Sequence, residues 1–185
     1  MPLVPRYLRT PVILLVAGAC ALLALCGGLA PASAEAGCKY SRKNPDDIRG
    51  KEARQAISCL VNKKRNEHGR GDYSNDGRLA SAADNHSEVM ARKSCFSHQC
   101  SGEPSLAQRI RNSGYLSGAR SWSYGENIAH GSGGNGEPYS IVKSWMNSSA
   151  HRAAILSGTF KEMGVGYEDR GKHGYYTVDF GFRRG

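Results

Sequence analysis

Tyr124-Gly125-Glu126-Asn127-Ile128-Ala129-His130 reads YGENIAH. A carboxylate stands between a glycine and an asparagine, and two apolar residues follow at once. A glutamate that only faced water would need no such company. One turned inward would need cations or hydrogen-bond donors from elsewhere in the chain. The question is what could meet Glu126. His130 is near in sequence, and His98 and His151 are two further histidines that could converge on Glu126, although they lie far apart and share no helix face. His98 sits between Cys95 and Cys100, and His151 follows the apolar run Ile141, Val142, Trp145, Met146.

The start of the chain has a different job. Arg6 and Arg9 precede an uncharged apolar run from Val12 to Leu25, and Ala32-Ser33-Ala34 has the small-x-small form of a cleavage site. This is the pattern of a secretory signal peptide, residues 1–34. The run falls short of the ~20 residues a spanning helix needs. No stable membrane span is therefore expected after cleavage. Residues 35–185 form one expected domain, large enough for a real core. Two of the 25 basic residues and none of the 16 acidic ones lie in the leader, so the processed chain carries a net charge of +7. Such a surface could meet an anionic cell wall or lipid headgroups. Lys63-Lys64-Arg65 is a dense basic run without interleaved aromatics, so no nucleic-acid partner is expected.

Four cysteines follow the leader: Cys38, Cys59, Cys95 and Cys100. An even number in an exported chain points to disulfides, and four cysteines allow three pairings. Cys95–Cys100 is favoured because it closes a short loop around Phe96-Ser97-His98-Gln99, which leaves Cys38–Cys59. The spacings match no common zinc pattern.

Periodicity supplies the rest of the framework. Ala53, Ala56, Ile57, Leu60 and Val61 recur at helical spacing, in a helix expected to begin near Asp46-Asp47. A second helix is expected from Asp76 to Lys93, with His86 on its inner face as a hydrogen-bonded core residue. Shorter helices are expected over 104–112, from Pro138, and over 151–156. Residues 117–125 and the glycine-rich 131–136 read as loops, and Asn127 as a cap in a turn. The runs 163–167 and 175–180 alternate as strands around a turn at Gly171 to Gly174. Helices first and a small antiparallel sheet last indicate an α+β domain.

Several of these motifs together resemble the CAP superfamily, or SCP domain family (cysteine-rich secretory protein/antigen 5/pathogenesis-related 1), and its secreted bacterial branch in particular. The residues that carry the resemblance are Phe96-Ser97-His98, Gly125-Glu126-Asn127-Ile128-Ala129, Trp145-Met146-Asn147-Ser148 with His151-Arg152, Gly164-Val165-Gly166 and Asp179-Phe180-Gly181. The resemblance implies an α-β-α sandwich, a small antiparallel sheet between helical layers. It also implies a central cleft where His98, His151 and Glu126 face one another, and it gives His130 no family position. Animal and plant members carry a second glutamate after the tryptophan motif. Here Met146-Asn147-Ser148 follows, so Glu126 is expected to be the lone carboxylate of the cleft. Ser149-Ala150 stands where bacterial relatives often have Pro-Gly, and a positive φ at Ala150 would strain the approach to His151.

Two imidazoles and a carboxylate suit a divalent cation such as zinc, giving His98, His151 and Glu126 as expected metal ligands. The expected function is a secreted, monomeric binding module whose cleft takes a divalent cation or a small amphipathic ligand, with a lipid or a cell-wall component among the candidate partners. The alternative is a hydrolase acting on protein or wall polymer, with His98, Glu126 and His151 as its acid–base set. A third reading makes the three a buried network that holds loops to the sheet.

Overall fold

A computed structural model describes residues 37–185. The expected signal peptide, residues 1–34, lies outside the described residues. The elements run α1 (Gly50–Glu67), β1 (Ser74–Asn75), α2 (Gly77–Lys93), α3 (Leu106–Asn112), β2 (Ser121–Ser132), a 3-10 turn (Gly133–Gly136), α4 (Pro138–Asn147), α5 (Ser149–Ile155), β3 (Glu162–Arg170) and β4 (His173–Arg184).

Each helix begins where local chemistry allows. Asp76 caps α2 by accepting from the Arg78 and Leu79 amides, Ser105 caps α3 by accepting from Gln108, and Pro138 occupies the first turn of α4. α1 starts at Gly50 rather than near Asp46-Asp47, and the Glu52 carboxylate accepts from the Arg49 amide (3.2 Å). Both favoured disulfides are present, Cys38–Cys59 and Cys95–Cys100.

The sheet has four strands in the order β1-β3-β4-β2. β2, β3 and β4 are antiparallel, and the two-residue β1 adds to β3 in parallel. The hairpin between β3 and β4 turns on Gly171, at φ 61°. The expected loop over 117–125 is in part a strand: β2 begins at Ser121 and takes in the whole of YGENIAH as an edge of the sheet. Glycine and serine weaken the usual strand signal there.

Alternation along the strands separates the two layers. α2 and α3 cover one face, and α1, α4 and α5 cover the other. The second face buries the larger core: Ile57, Leu60 and Val61 of α1 and Val142 and Trp145 of α4 pack with Met163, Val165, Val178 and Phe180 of the sheet. On the first face α2 lies directly on β3. A Cβ on Gly164 would stand 2.0 Å from the Ala80 nitrogen, and one on Gly166 would stand 2.2 Å from the Ala83 carbonyl. The two glycines are therefore what lets α2 seat at this depth.

Gly166→Ala is expected to lower stability by about 3 kcal/mol or to prevent folding, since helix backbone cannot yield as a side chain can. Urea unfolding followed by circular dichroism would test this, and an unchanged midpoint would contradict the packing argument.

Candidate functional site

Strand alternation points Glu126 toward the α2/α3 face, directly across from Asp179 on β4. Its side chain is only 1% exposed. Three cationic or potentially cationic groups surround it. His98 Nδ1 meets Oε1 at 2.7 Å, the Arg109 Nη2 donates to Oε2 at 2.5 Å, and His86 Nε2 lies 3.9 Å from Oε2. Burial by itself would raise the Glu126 carboxyl, but the His98 hydrogen bond and the charges of Arg109 and His86 bring it below its ordinary value.

Each partner is positioned by a separate device. The Cys95–Cys100 disulfide closes the loop that carries His98. α3 carries Arg109, whose Nη1 also donates to the His98 carbonyl (3.0 Å) and the Pro104 carbonyl (3.2 Å). The same guanidinium thus holds both Glu126 and the loop that brings His98 to it. His86 is the expected hydrogen-bonded core histidine. Its Nδ1 meets Glu103 Oε1 at 2.7 Å, and Glu103 Oε2 accepts from the Cys100 amide at 3.0 Å.

Glu126 is not the lone carboxylate of this region. Asp179 is fully buried beside it, and no N–H or O–H donor reaches either of its oxygens, so the partner of a proton on Asp179 is the Glu126 carboxylate. Burial and the neighbouring Glu126 charge push the Asp179 carboxyl well above its ordinary value. The two carboxyls are thus shifted in opposite directions, Glu126 toward the ionised form among its cations and Asp179 toward the protonated form. Glu103, Arg109 and Asp179 were not singled out as site residues from the sequence. Asp179 left one readable signal, an acid inside the otherwise apolar and aromatic run Tyr175 to Phe180.

His151 comes from the other layer. It lies in α5, and Asn127 Nδ2 donates to its backbone carbonyl at 3.1 Å. Asn127 is thus a strand residue that fastens α5 to β2, not the cap of a turn. Ala150 is in the helix, and the non-glycine residues with positive φ are Tyr40 and Ser94, so Ser149-Ala150 introduces no strain before His151. Burial, followed by the nearby charge of His98, lowers the His151 imidazole. His98 shifts the other way, raised chiefly by its hydrogen bond to Glu126. Of the three expected site residues, His98 and Glu126 touch, while His151 is joined to neither by a hydrogen bond or ion pair and feels only the charge of His98. His130 instead stacks on Tyr175, with ring centroids 5.7 Å apart, and meets Phe96 in a tilted contact at 4.5 Å.

Glu126 spends one oxygen on His98 and the other on Arg109. Among the described residues no group of three or more His, Cys, Asp or Glu side chains could hold a metal ion. Ser97 does not serve His98: its hydroxyl donates to the Gln99 carbonyl at 3.0 Å.

Residues 60–180 match the cysteine-rich secretory protein family, CAP, and the chain belongs to that family. It is 35% identical over 115 residues to the uncharacterized protein YkwD of Bacillus subtilis, a match covering 60% of this chain and 41% of YkwD. It is 32% identical over 124 residues to the uncharacterized membrane protein YlbC of the same organism, covering 67% of this chain and 33% of YlbC. The chain therefore spans less than half the length of these curated relatives. Among solved structures it is similar to an extracellular protein containing a SCP domain from Bacillus anthracis, with a TM-score of 0.62 and 28% identity over 71% of this chain and 40% of that one. An outer surface protein from Borrelia burgdorferi shares the fold, with a TM-score of 0.63 at 19% identity over 74% of this chain and 97% of that one.

Two measurements test the electrostatics. In a proton NMR titration His98 is expected to titrate above the ordinary histidine value and His151 below it, and Glu126→Gln should bring His98 back down. Equal midpoints for the two histidines would contradict the geometry. Asp179 gives the second. Its folded pKa is raised, so its contribution to stability is complete below the ordinary carboxyl pKa of ~3.9 and declines as pH rises toward the folded value. Asp179→Asn should flatten that decline in urea unfolding measured across pH, and an unaltered slope would show that Asp179 is not held protonated.

Proposed function

We propose that this protein is an extracellular, monomeric binding module whose cleft holds a divalent cation such as zinc between the imidazoles of His98 and His151. A small ligand would complete the coordination. The observation that carries this reading is the contact between Glu126 and His98 Nδ1 at 2.7 Å, on a His98 side chain that is 58% exposed. With Nδ1 committed to a buried carboxylate, the free nitrogen of His98 is Nε2. A carboxylate behind a histidine is how proteins set the tautomer and aim of a metal-binding imidazole. Glu126 then orients a ligand without being one. When bound, the cation would supply Lewis acidity to whatever occupies its open positions. Two disulfides and the extracellular relative support a location outside the cytoplasm. Among the described residues no helix is long and apolar enough to cross a membrane.

Binding is favoured over hydrolysis by what a substrate could reach. Glu126 is 1% exposed and Asp179 is fully buried, so neither carboxyl can take a proton from a bound substrate without rearrangement. The four described cysteines are all in disulfides, so no thiolate is free among them.

Titration calorimetry with zinc chloride tests the reading. His98→Ala and His151→Ala should each weaken binding at least about tenfold, and Glu126→Gln should do so by roughly 10- to 100-fold through loss of ligand orientation. Zinc binding that survives in the His98→Ala, His151→Ala double variant would refute the site. Turnover of casein or peptidoglycan that is lost in His151→Ala would establish the hydrolase instead.

A further inference from the structure

The sheet has two edges. β2 forms one and carries Glu126, while β1 covers the other only in part, since its two residues pair with Glu162 and Met163 alone. Beyond β1 the outer edge of β3 continues. Hydrogen bonds show which of its residues face outward: the Ser74 amide donates to the Lys161 carbonyl at 3.0 Å, and the Asp76 amide to the Met163 carbonyl at 2.9 Å. By the two-residue repeat of a strand, Val165 and Tyr167 turn their backbone groups the same way. The Tyr167 amide is met by Asp84 Oδ1 at 3.1 Å, and the same oxygen accepts from Arg54 Nη1 at 3.0 Å. Val165 lies between these two covers. Among the described residues no strand pairs with its outward N–H and C=O, and no side chain hydrogen-bonds to them. The residue is nonetheless only 3% exposed. Buried backbone groups seldom stay without partners.

The edge is recessed. A groove of about 970 Å³ runs along it between α1 and the start of α2, and Lys51, Gln55, Lys63, Asn75, Ala80 and Val165 are among the residues that line it. Gln55 is exposed, and among the described residues its side-chain amide makes no hydrogen bond. The acids that line the groove are already engaged. Asp76 pairs with Arg78 at 2.7 Å, Glu67 pairs with Lys64 at 2.9 Å, and Asp72 accepts from the Asn66 side-chain amide at 3.0 Å. Lys51 and Lys63 are not engaged: among the described residues neither has a carboxylate within ion-pair distance. One groove thus joins an unpaired piece of strand edge to two unneutralised cations.

We propose that this groove takes an extended peptide segment bearing acidic side chains, which adds to the β3 edge as a further strand at Val165. The peptide backbone accepts from the Val165 amide and donates to the Val165 carbonyl, and its carboxylates meet Lys51 and Lys63. In such pairing the main chain supplies affinity and the side chains supply selectivity. An unpaired strand edge is a template for another strand, and proteins ordinarily cover it. Here β1 covers one end and Asp84 the other, which leaves room for one narrow chain. A second copy of this protein would carry the same recessed edge. Its helices would meet the helices here before two β3 strands came within pairing distance. The groove lies at the edge of the sheet opposite to β2, so the proposal does not depend on any occupant of the histidine cleft.

The test follows the Val165 amide by NMR in the isotopically labelled full chain. The probe is a mixed-sequence pool of short peptides, acetylated and amidated at their ends, each holding two aspartates. With the pool present the Val165 resonance should move, and its hydrogen exchange should slow at least about tenfold as a peptide carbonyl covers it. The same pool methylated on its backbone nitrogens cannot donate to the Val165 carbonyl and should give no protection. A pool with asparagine in place of aspartate should bind more weakly. The double charge reversal Lys51→Glu, Lys63→Glu, its fold checked by circular dichroism, should lower affinity for the aspartate pool at least about tenfold. Val165 exchange unchanged by the aspartate pool would overturn the proposal, and so would equal protection by the methylated pool. Equal binding of the asparagine pool would remove the acidic partner. Protection that grows with protein concentration in the absence of peptide would give the edge to a second copy instead.

Discussion

An ionised carboxylate inside a protein costs several kcal/mol unless charge and hydrogen bonds meet it. Glu126 is such a group, and the site is built around meeting it. One oxygen takes the His98 imidazole and the other the Arg109 guanidinium. These partners come from two segments, a disulfide-closed loop tied to Glu103 and a seven-residue helix that also buries Ile110 against Leu79 and Ala82. Removing either would leave the carboxylate underpaired, so the position of α3 and the path of the His98 loop both answer to one buried charge.

That arrangement also explains the neighbours. Arg109 can serve Glu126 while bonding the loop carbonyls because Glu103 lies 3.7 Å from its Nη1 and accepts from His86 on the other side. Burial and the charge of Glu126 shift Asp179 toward the neutral acid, against the opposing pull of Arg109, the cation it shares with Glu126. The second glutamate found after the tryptophan motif in other members has no counterpart here. A different acid, on a different strand, lies near Glu126. It faces the interior and not the cleft, so it shapes Glu126 without offering itself to a ligand.

Long apolar periodicities made most of the helices legible. α2 was readable almost to the residue, because its stripe from Leu79 to Met90 and its Asp76 cap are both local features. β2 was harder. Its large residues do alternate, Trp122, Tyr124, Glu126, Ile128 and His130, but the intervening positions are serine, glycine, asparagine and alanine, which resemble a loop. The small residues are required by close packing on the second face. A Cβ at Gly125 would lie 3.0 Å from the Phe160 ring, and one at Gly131 would lie 2.5 Å from the Asn135 carbonyl. Tertiary contact therefore removed the very side chains that would have announced a strand. Arg109 was hidden for a similar reason, since one arginine in a short helix looks like surface until the helix is placed.

The family was contained in the order and spacing of the motifs, because these are local and persist wherever the chain goes; the short Cys95–Cys100 loop favoured one of three cysteine pairings, and the inward turn of Glu126 was implied by the family's pattern. Of Glu126's partners only His98 was expected. Arg109, His86 and Asp179 lie 17, 40 and 53 positions away from it, and no local periodicity links them. Only the stacking of α2 and α3 on the sheet decides that these groups share one desolvated volume. In that volume charges compete for a limited set of partners, and the competition sets the direction in which each acid is shifted and which carboxylate meets the Nδ1 of His86 and of His98.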